Sequence, residues 1–178
     1  MVIEYRRQQV RGIPTPVGVY ALCDLDEVPI YVGQSIDGIR NRVRRHLTSA
    51  RSDIIANREV DVWEIAYVWA WPIALEHIPA LEAHLFHEFN LVSPLMNGTV
   101  PVEPGMINFA IPDKQVVQVM HSDEITVRRR PEQRLPRQAQ HYERLVDHIL
   151  NVKDARELRR SLHAHFERLT RYHKEFLA

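Results

Sequence analysis

A chain of 178 residues, 45% hydrophobic and 26% charged, is long enough for one full core or for a domain of about 100 residues with an appendage, and its composition excludes wholesale disorder. Its 23 basic side chains are matched by 23 acidic ones, which counts against a generic basic binder that holds nucleic acid by bulk charge. No apolar stretch approaches the roughly 20 residues that span a bilayer, and the polar N-terminus has no apolar export core.

Residues 1–12 are polar and basic, and Gly12-Ile13-Pro14-Thr15-Pro16 stiffens the entry to a first strand. In GVYALCDLDEVPIYVG two short apolar runs flank Asp24-Leu25-Asp26-Glu27, which predicts a β-hairpin with strands at about 17–23 and 28–33. Pro29 marks the start of the second strand or an edge on that side. Each strand sets a tyrosine close to a glycine, Gly18-Val19-Tyr20 and Tyr31-Val32-Gly33. Hairpin pairing brings Tyr20 and Tyr31 together, and Gly18 and Gly33 leave room for a close approach. Cys23, the single cysteine, reads as a small buried apolar residue; it excludes an internal disulfide and a cysteine-based zinc site, and fits a reducing cytoplasm.

From Asp37, a good N-cap, a helix is expected to about residue 50, burying Ile39, Val43 and Leu47. Residues 37–51 set Arg40, Arg42, Arg44, Arg45 and Arg51 against Asp37 alone, a local patch sufficient to position a phosphate backbone. Arg42 and His46, four apart, share a face at the boundary of core and solvent, where an arginine presents its fork of donors to a phosphate. Arg40 and Arg44 share the opposite flank, and Arg45 points outward; a solvated basic helix would account for any one of these arginines taken alone. Residues 60–71, VDVWEIAYVWAW, predict a long strand that Pro72 stops. PIALEHIPALEAHLFHEFNLV predicts a helix kinked or restarted at Pro79, with Leu81, Leu85 and Phe89 as its stripe. Glu82 stands among Ile78, Leu85 and Phe86, where a carboxylate needs a partner: Arg42, a histidine or a divalent cation. His84 and His87 lack the His-x-x-x-His spacing of a helical zinc site, and His163 and His165 do not face each other.

Pro94 ends that helix and Asn97-Gly98 makes a turn, so the first hundred residues read β-β-α-β-α. Residues 106–128 suggest two or three short strands, and Arg128-Arg129-Arg130-Pro131 through Pro136 a basic linker. Helices at about 137–150 and 154–175 carry Leu145, Ile149, Leu158, Leu162 and Leu169, an amphipathic pair suited to packing on the first domain or on a partner chain. The fold class expected is α+β, with a domain over 1–104 and an extension over 105–178 for dimerisation or DNA contact.

The ordered set Gly18-Val19-Tyr20, Tyr31-Val32-Gly33, Arg42, His46, Glu82 and Asn97 resembles the GIY-YIG nuclease superfamily over roughly residues 12–100. The resemblance implies a small three-stranded antiparallel sheet with flanking helices and metal-dependent hydrolysis of DNA phosphodiesters. It implies that Glu82 holds one cation, Mg²⁺ or Mn²⁺, and that Tyr20 is the general base or positions the attacking water. Tyr31 would support that network, Arg42 clamp the phosphate, His46 orient the water or relay a proton, and Asn97 anchor the helix end to the sheet. Val19 and Val32 replace isoleucine, and Gln34 stands where several members have lysine, which shifts weight to Tyr20. DNA is then the expected partner, with Arg40, Arg44, Arg45, Arg128, Arg129 and Arg130 as backbone contacts and a homodimer as the natural way to cut both strands. A restriction-type endonuclease leads; a structure-specific repair or recombination nuclease and a noncatalytic nucleic-acid-binding module are the alternatives.

Overall fold

The computed structural model describes residues 2–49 and 52–178, so Arg51 and the expected end of the first helix at residue 50 lie outside the described residues. Where the sequence suggests only a polar stretch, the N-terminus forms helix α1 (Val2–Gln9) and a 3₁₀ turn (Val10–Gly12). Arg6 explains it: the residue is 3% exposed, and its guanidinium donates to the carbonyls of Val62 (3.1 Å) and Ile65 (3.0 Å). Those contacts pin α1 to a segment more than fifty residues away.

Strands β1 (Gly18–Cys23), β2 (Pro29–Ser35), β3 (Tyr67–Pro72) and β4 (Gln115–Gln118) form an antiparallel sheet in the order β2-β1-β3-β4. The sheet therefore has four strands rather than three, the fourth supplied from beyond residue 104. Alternation along central β1 divides two apolar layers. Val19, Ala21 and Cys23 pack with Ile78, Leu81 and Leu85 of helix α4 (Ile78–Val92), while Tyr20 and Leu22 pack with Ile39, Val43 and Leu47 of helix α2 (Ile39–Thr48).

The N-cap of α2 is Gly38 (φ 98°), not Asp37. A side chain at residue 38 would collide with the Thr15 carbonyl, so glycine alone fits. The first amides of α2 are satisfied by backbone instead: Ile39 N donates to Pro16 O (3.0 Å) and Arg40 N to Pro14 O (3.0 Å). The proline-rich entry segment is thus the cap.

The long strand expected over 60–71 is confined to Tyr67–Pro72; a one-turn helix α3 (Asp53–Ala56) and an irregular stretch precede it. Asp61 and Glu64 in that stretch turn toward Arg137 and Arg134 instead of extending a ladder. Residues 106–128 hold one strand, β4, and the start of helix α5 (Ser122–Arg129). The basic linker over 128–136 is also corrected, because it is the end of α5 followed by the start of helix α6 (Pro131–Asn151). Pro131 fits at a helix start, where its missing N–H would have no intrahelical partner.

Helix α7 (Arg156–Leu177) runs back along α6, burying Leu145, Ile149 and Leu158 between them. Arg134, 1% exposed, donates to Glu64 Oε1 (2.8 Å), Asp24 Oδ2 (3.3 Å) and Asp26 Oδ2 (2.5 Å), and lies 4.1 Å over the Tyr172 ring. Arg137 reaches Asp61 (2.5 Å) and Glu64 (2.6 Å), and Arg168 pairs with Asp24. Leu145, Ile149 and Leu158 of the helical pair are thus used within the chain, while Leu150 and Phe166 stay exposed, and Ala164 of α7 joins the same core cluster as Tyr20. Among the described residues no helix is long and apolar enough to cross a membrane.

Candidate active site

Strand register places Tyr20 opposite Gly33 and Leu22 opposite Tyr31, so both tyrosines lie on the α2 side of the sheet, their rings 6.4 Å apart. A Cβ at Gly33 would stand 2.5 Å from the Tyr20 hydroxyl and 2.9 Å from the Tyr31 ring, so this glycine clears the path of Tyr20. At Gly18 a Cβ would run into the Trp71 carbonyl of β3. Tyr20 is fully buried and its hydroxyl lies 2.8 Å from Nε2 of His46, which α2 projects toward it.

His46 is 1% exposed, and its Nδ1 lies 2.6 Å from Ser52 Oγ, which in turn lies 3.5 Å from Asp53 Oδ1. Burial and the nearby Arg42 charge push His46 down to about 4, so its ring is neutral at pH 7, with one donor and one acceptor. The carboxylate at the far end assigns the direction of the chain. Ser52 donates to Asp53, His46 Nδ1–H donates to Ser52, and Nε2 accepts from the Tyr20 hydroxyl. Burial raises Tyr20 above the ordinary phenol range, with Arg42 pulling the other way. Burial raises Tyr31 as well, reinforced by Tyr20.

Arg42 Nη2 pairs with Asp53 Oδ2 at 3.0 Å, while its Nε is buried without a hydrogen-bond partner. Burial works against the Asp53 charge, but Arg42 and the Ile54 amide hold its carboxyl below the usual range. Glu82 on α4 is half-buried and has no hydrogen-bond or ion-pair partner among the described residues, and burial alone raises it to about 7. It faces a cleft of about 370 Å³ at the β2 edge, shared with Tyr31, Asp53, Glu59, Lys153 and Glu157. Asn97 clasps Val32 of β2 through both backbone groups, accepting from its N–H (3.0 Å) and donating to its carbonyl (2.6 Å).

Of the arginines singled out in the sequence, Arg44 and Arg45 are exposed, and Arg40 donates to the Ile13 carbonyl at 2.7 Å. Arg128 is held by Glu124 (2.6 Å) and lies 4.8 Å over Trp63, and Arg129 is held by Asp26 (3.0 Å). Arg130 is exposed at the junction of α5 and α6. Ser52, Asp53, Glu59 and Lys153 also surround the site, with no motif in the sequence that marks them. Ser52-Asp53 at the start of a short helix reads as a cap, and only the Asp53 bond to Arg42 discloses its second use.

A hydroxyl–imidazole relay, an arginine and a lone carboxylate are thus mounted on a small antiparallel sheet. The family model described as the GIY-YIG catalytic domain matches residues 16–92, a match that supports a GIY-YIG nuclease domain over that stretch. The match covers neither residues 1–15 nor residues 93–178. Comparison with curated proteins and with solved structures gave no match.

Proposed function

We propose that this chain is a divalent-metal-dependent endonuclease acting on DNA. The observation that carries the reading is the Tyr20–His46–Ser52–Asp53 chain beside Arg42 and an unpaired Glu82. Tyr20 accepts a proton from the attacking water while passing its own to His46 Nε2, so a phenol that burial keeps protonated still serves as a base. Asp53 orients the imidazole and stabilises the positive ring that results. Arg42, partly exposed and held by Asp53, offers its guanidinium to the non-bridging oxygens of the scissile phosphate as charge develops there.

The residues fit a single hard cation. Glu82 is a carboxylate raised by burial with no protein counter-charge, and among the described residues no three or more His, Cys, Asp or Glu side chains gather into a metal-holding cluster. Glu82 would hold Mg²⁺ or Mn²⁺, with water and substrate phosphate filling the other positions; the ion would supply Lewis-acid stabilisation of the phosphate charge.

The test is incubation with supercoiled plasmid and long linear duplex, in Mg²⁺ or in EDTA, with Glu82→Ala as control. Discrete Mg²⁺-dependent fragments, absent with Glu82→Ala, are the expected result and identify the restriction-type form. Inactivity on plasmid, duplex, flaps and junctions alike would overturn the reading in favour of a noncatalytic binding module. The homodimer needed to cut both strands together is read from sedimentation with and without DNA, since Leu145, Ile149 and Leu158 of the stripe that suggested it are buried inside the chain.

A further inference from the structure

On the other flank of α2 from Arg42 lies a second depression, of about 670 Å³, between that helix and the α1–3₁₀ segment. Arg7 and Arg11 line one wall and Arg40, Arg44 and Arg45 the other, and no acidic side chain lines it among the described residues. Glu4 lies 3.9 Å from Arg7, but both are exposed and such a pair is weak. In a chain of formal net charge +0 this is segregation of charge, not excess. Arg40 and Arg44 stand one turn apart, about 6 Å along the axis, where like charges disfavour the helix unless an anion joins them. Arg40 is held in place by the Ile13 carbonyl, while Arg11, Arg44 and Arg45 are exposed.

We propose that this groove is a track for the phosphate backbone of double-stranded DNA, several nucleotides from the bond to be cut. Arg7 and Arg11 would meet phosphates from one wall and Arg44 and Arg45 from the other. The track and the Arg42–His46 face are the two flanks of one helix, about 10 Å across, so one substrate can engage both. The choice of ligand rests on the nuclease reading above; the charge arrangement does not. The sequence offers the α2 arginines as a phosphate-positioning patch, but not their pairing with Arg7 and Arg11, which reach α2 only through the fold.

The experiment measures binding of a short duplex of arbitrary sequence in EDTA between 50 and 200 mM salt, using the full chain. Arg7→Gln/Arg11→Gln/Arg44→Gln is compared with the wild type and with Arg144→Gln/Arg159→Gln/Lys174→Gln, which removes the same charge elsewhere. Loss of three phosphate contacts flattens the dependence of log affinity on log salt by two to three, so the wild type's advantage shrinks roughly 40-fold across that range. The control triple is expected to keep the wild-type slope. Equal slopes for the groove variant and the wild type, equal losses in both triples, or groove dependence with double-stranded RNA but not DNA would each overturn the proposal. Cleavage by the wild type is scored separately. A chain that cuts DNA with groove-independent binding loses the track and remains a nuclease, and one that binds through the groove without cutting keeps the track and is no nuclease.

Discussion

Tyr20 owes its chemistry to a neighbour with no side chain. Gly33, directly opposite on β2, leaves the space through which the phenol reaches His46, so Gly33→Ala sets a methyl 2.5 Å from that hydroxyl and forces the ring aside. Cleavage by Gly33→Ala is expected to fall about as far as by Tyr20→Phe, roughly 10²-fold or more. Wild-type rates in Gly33→Ala would show that the Tyr20–His46 bond is dispensable. Glu82 carries the opposite signature, a charge without a partner. Its folded pKa of about 7 lies above the ordinary 4.5, so the metal-free protein is stabilised by its neutral form below pH 4.5 and loses that stability as pH rises through 7. Glu82→Gln should therefore melt higher than the wild type at pH 8 without metal. Mg²⁺ should raise the wild-type Tm and leave the variant's unmoved. An Mg²⁺ response equal in both would remove Glu82 from the metal site.

At the scale of elements, the parts of the site carried by β1, β2, α2 and α4 were legible because period and spacing set which side chains share a face: Tyr20 with Tyr31, Arg42 with His46. Ser52, Asp53, Glu59 and Lys153 were not, since they sit on short or irregular connections whose placement is tertiary. The strand overrun at 60–66 has the same origin: alternation there serves a buried ionic network, and a network and a half-buried strand leave the same pattern in a sequence. Burying neutral imidazoles has a thermodynamic consequence for the elements that hold them. His46 is pushed down to about 4 and His165, which donates to the Glu59 carbonyl, to about 3. Unfolded, both take up protons near pH 6.5, while the folded chain resists until pH 4 or lower. Their contribution is complete above pH 6.5 and is lost as pH falls from 6.5 through 4, at roughly 3 kcal/mol for His46 alone. In urea melts His46→Gln should lose less stability between pH 7 and pH 4.5 than the wild type, by about 3 kcal/mol, a difference in which the carboxylates cancel. Equal dependence in the two would mean that this ring is not held neutral.

For the molecule as a whole, the acids and bases are sorted by the fold. Asp24, Asp26, Asp61 and Glu64 meet Arg134, Arg137 and Arg168 of the last two helices, while Arg7, Arg11, Arg40, Arg44 and Arg45 collect at a groove that no acid lines among the described residues. The extension is therefore structural to the catalytic part. It adds β4 to the sheet, buries Ala164 against the Tyr20 cluster and walls the Glu82 cleft with Lys153 and Glu157. Removing one member of a buried ion pair leaves its partner charged and desolvated, a penalty of about 3–5 kcal/mol. Arg134→Met does this to Glu64, which is fully buried and already pushed up by burial against the pull of Arg134 and Arg137. That variant should lose a large part of the chain's stability at pH 7. The loss should shrink as pH falls, because Glu64, which burial already raises, can accept a proton in place of its lost partner. Residues 1–104 alone lose every one of these partners at once, so that fragment is expected to show no cooperative melt by circular dichroism. A cooperative melt together with Mg²⁺-dependent cutting by residues 1–104 would make the helical pair an appendage, and would confine the working nuclease to the part of the chain whose motifs are visible in its sequence.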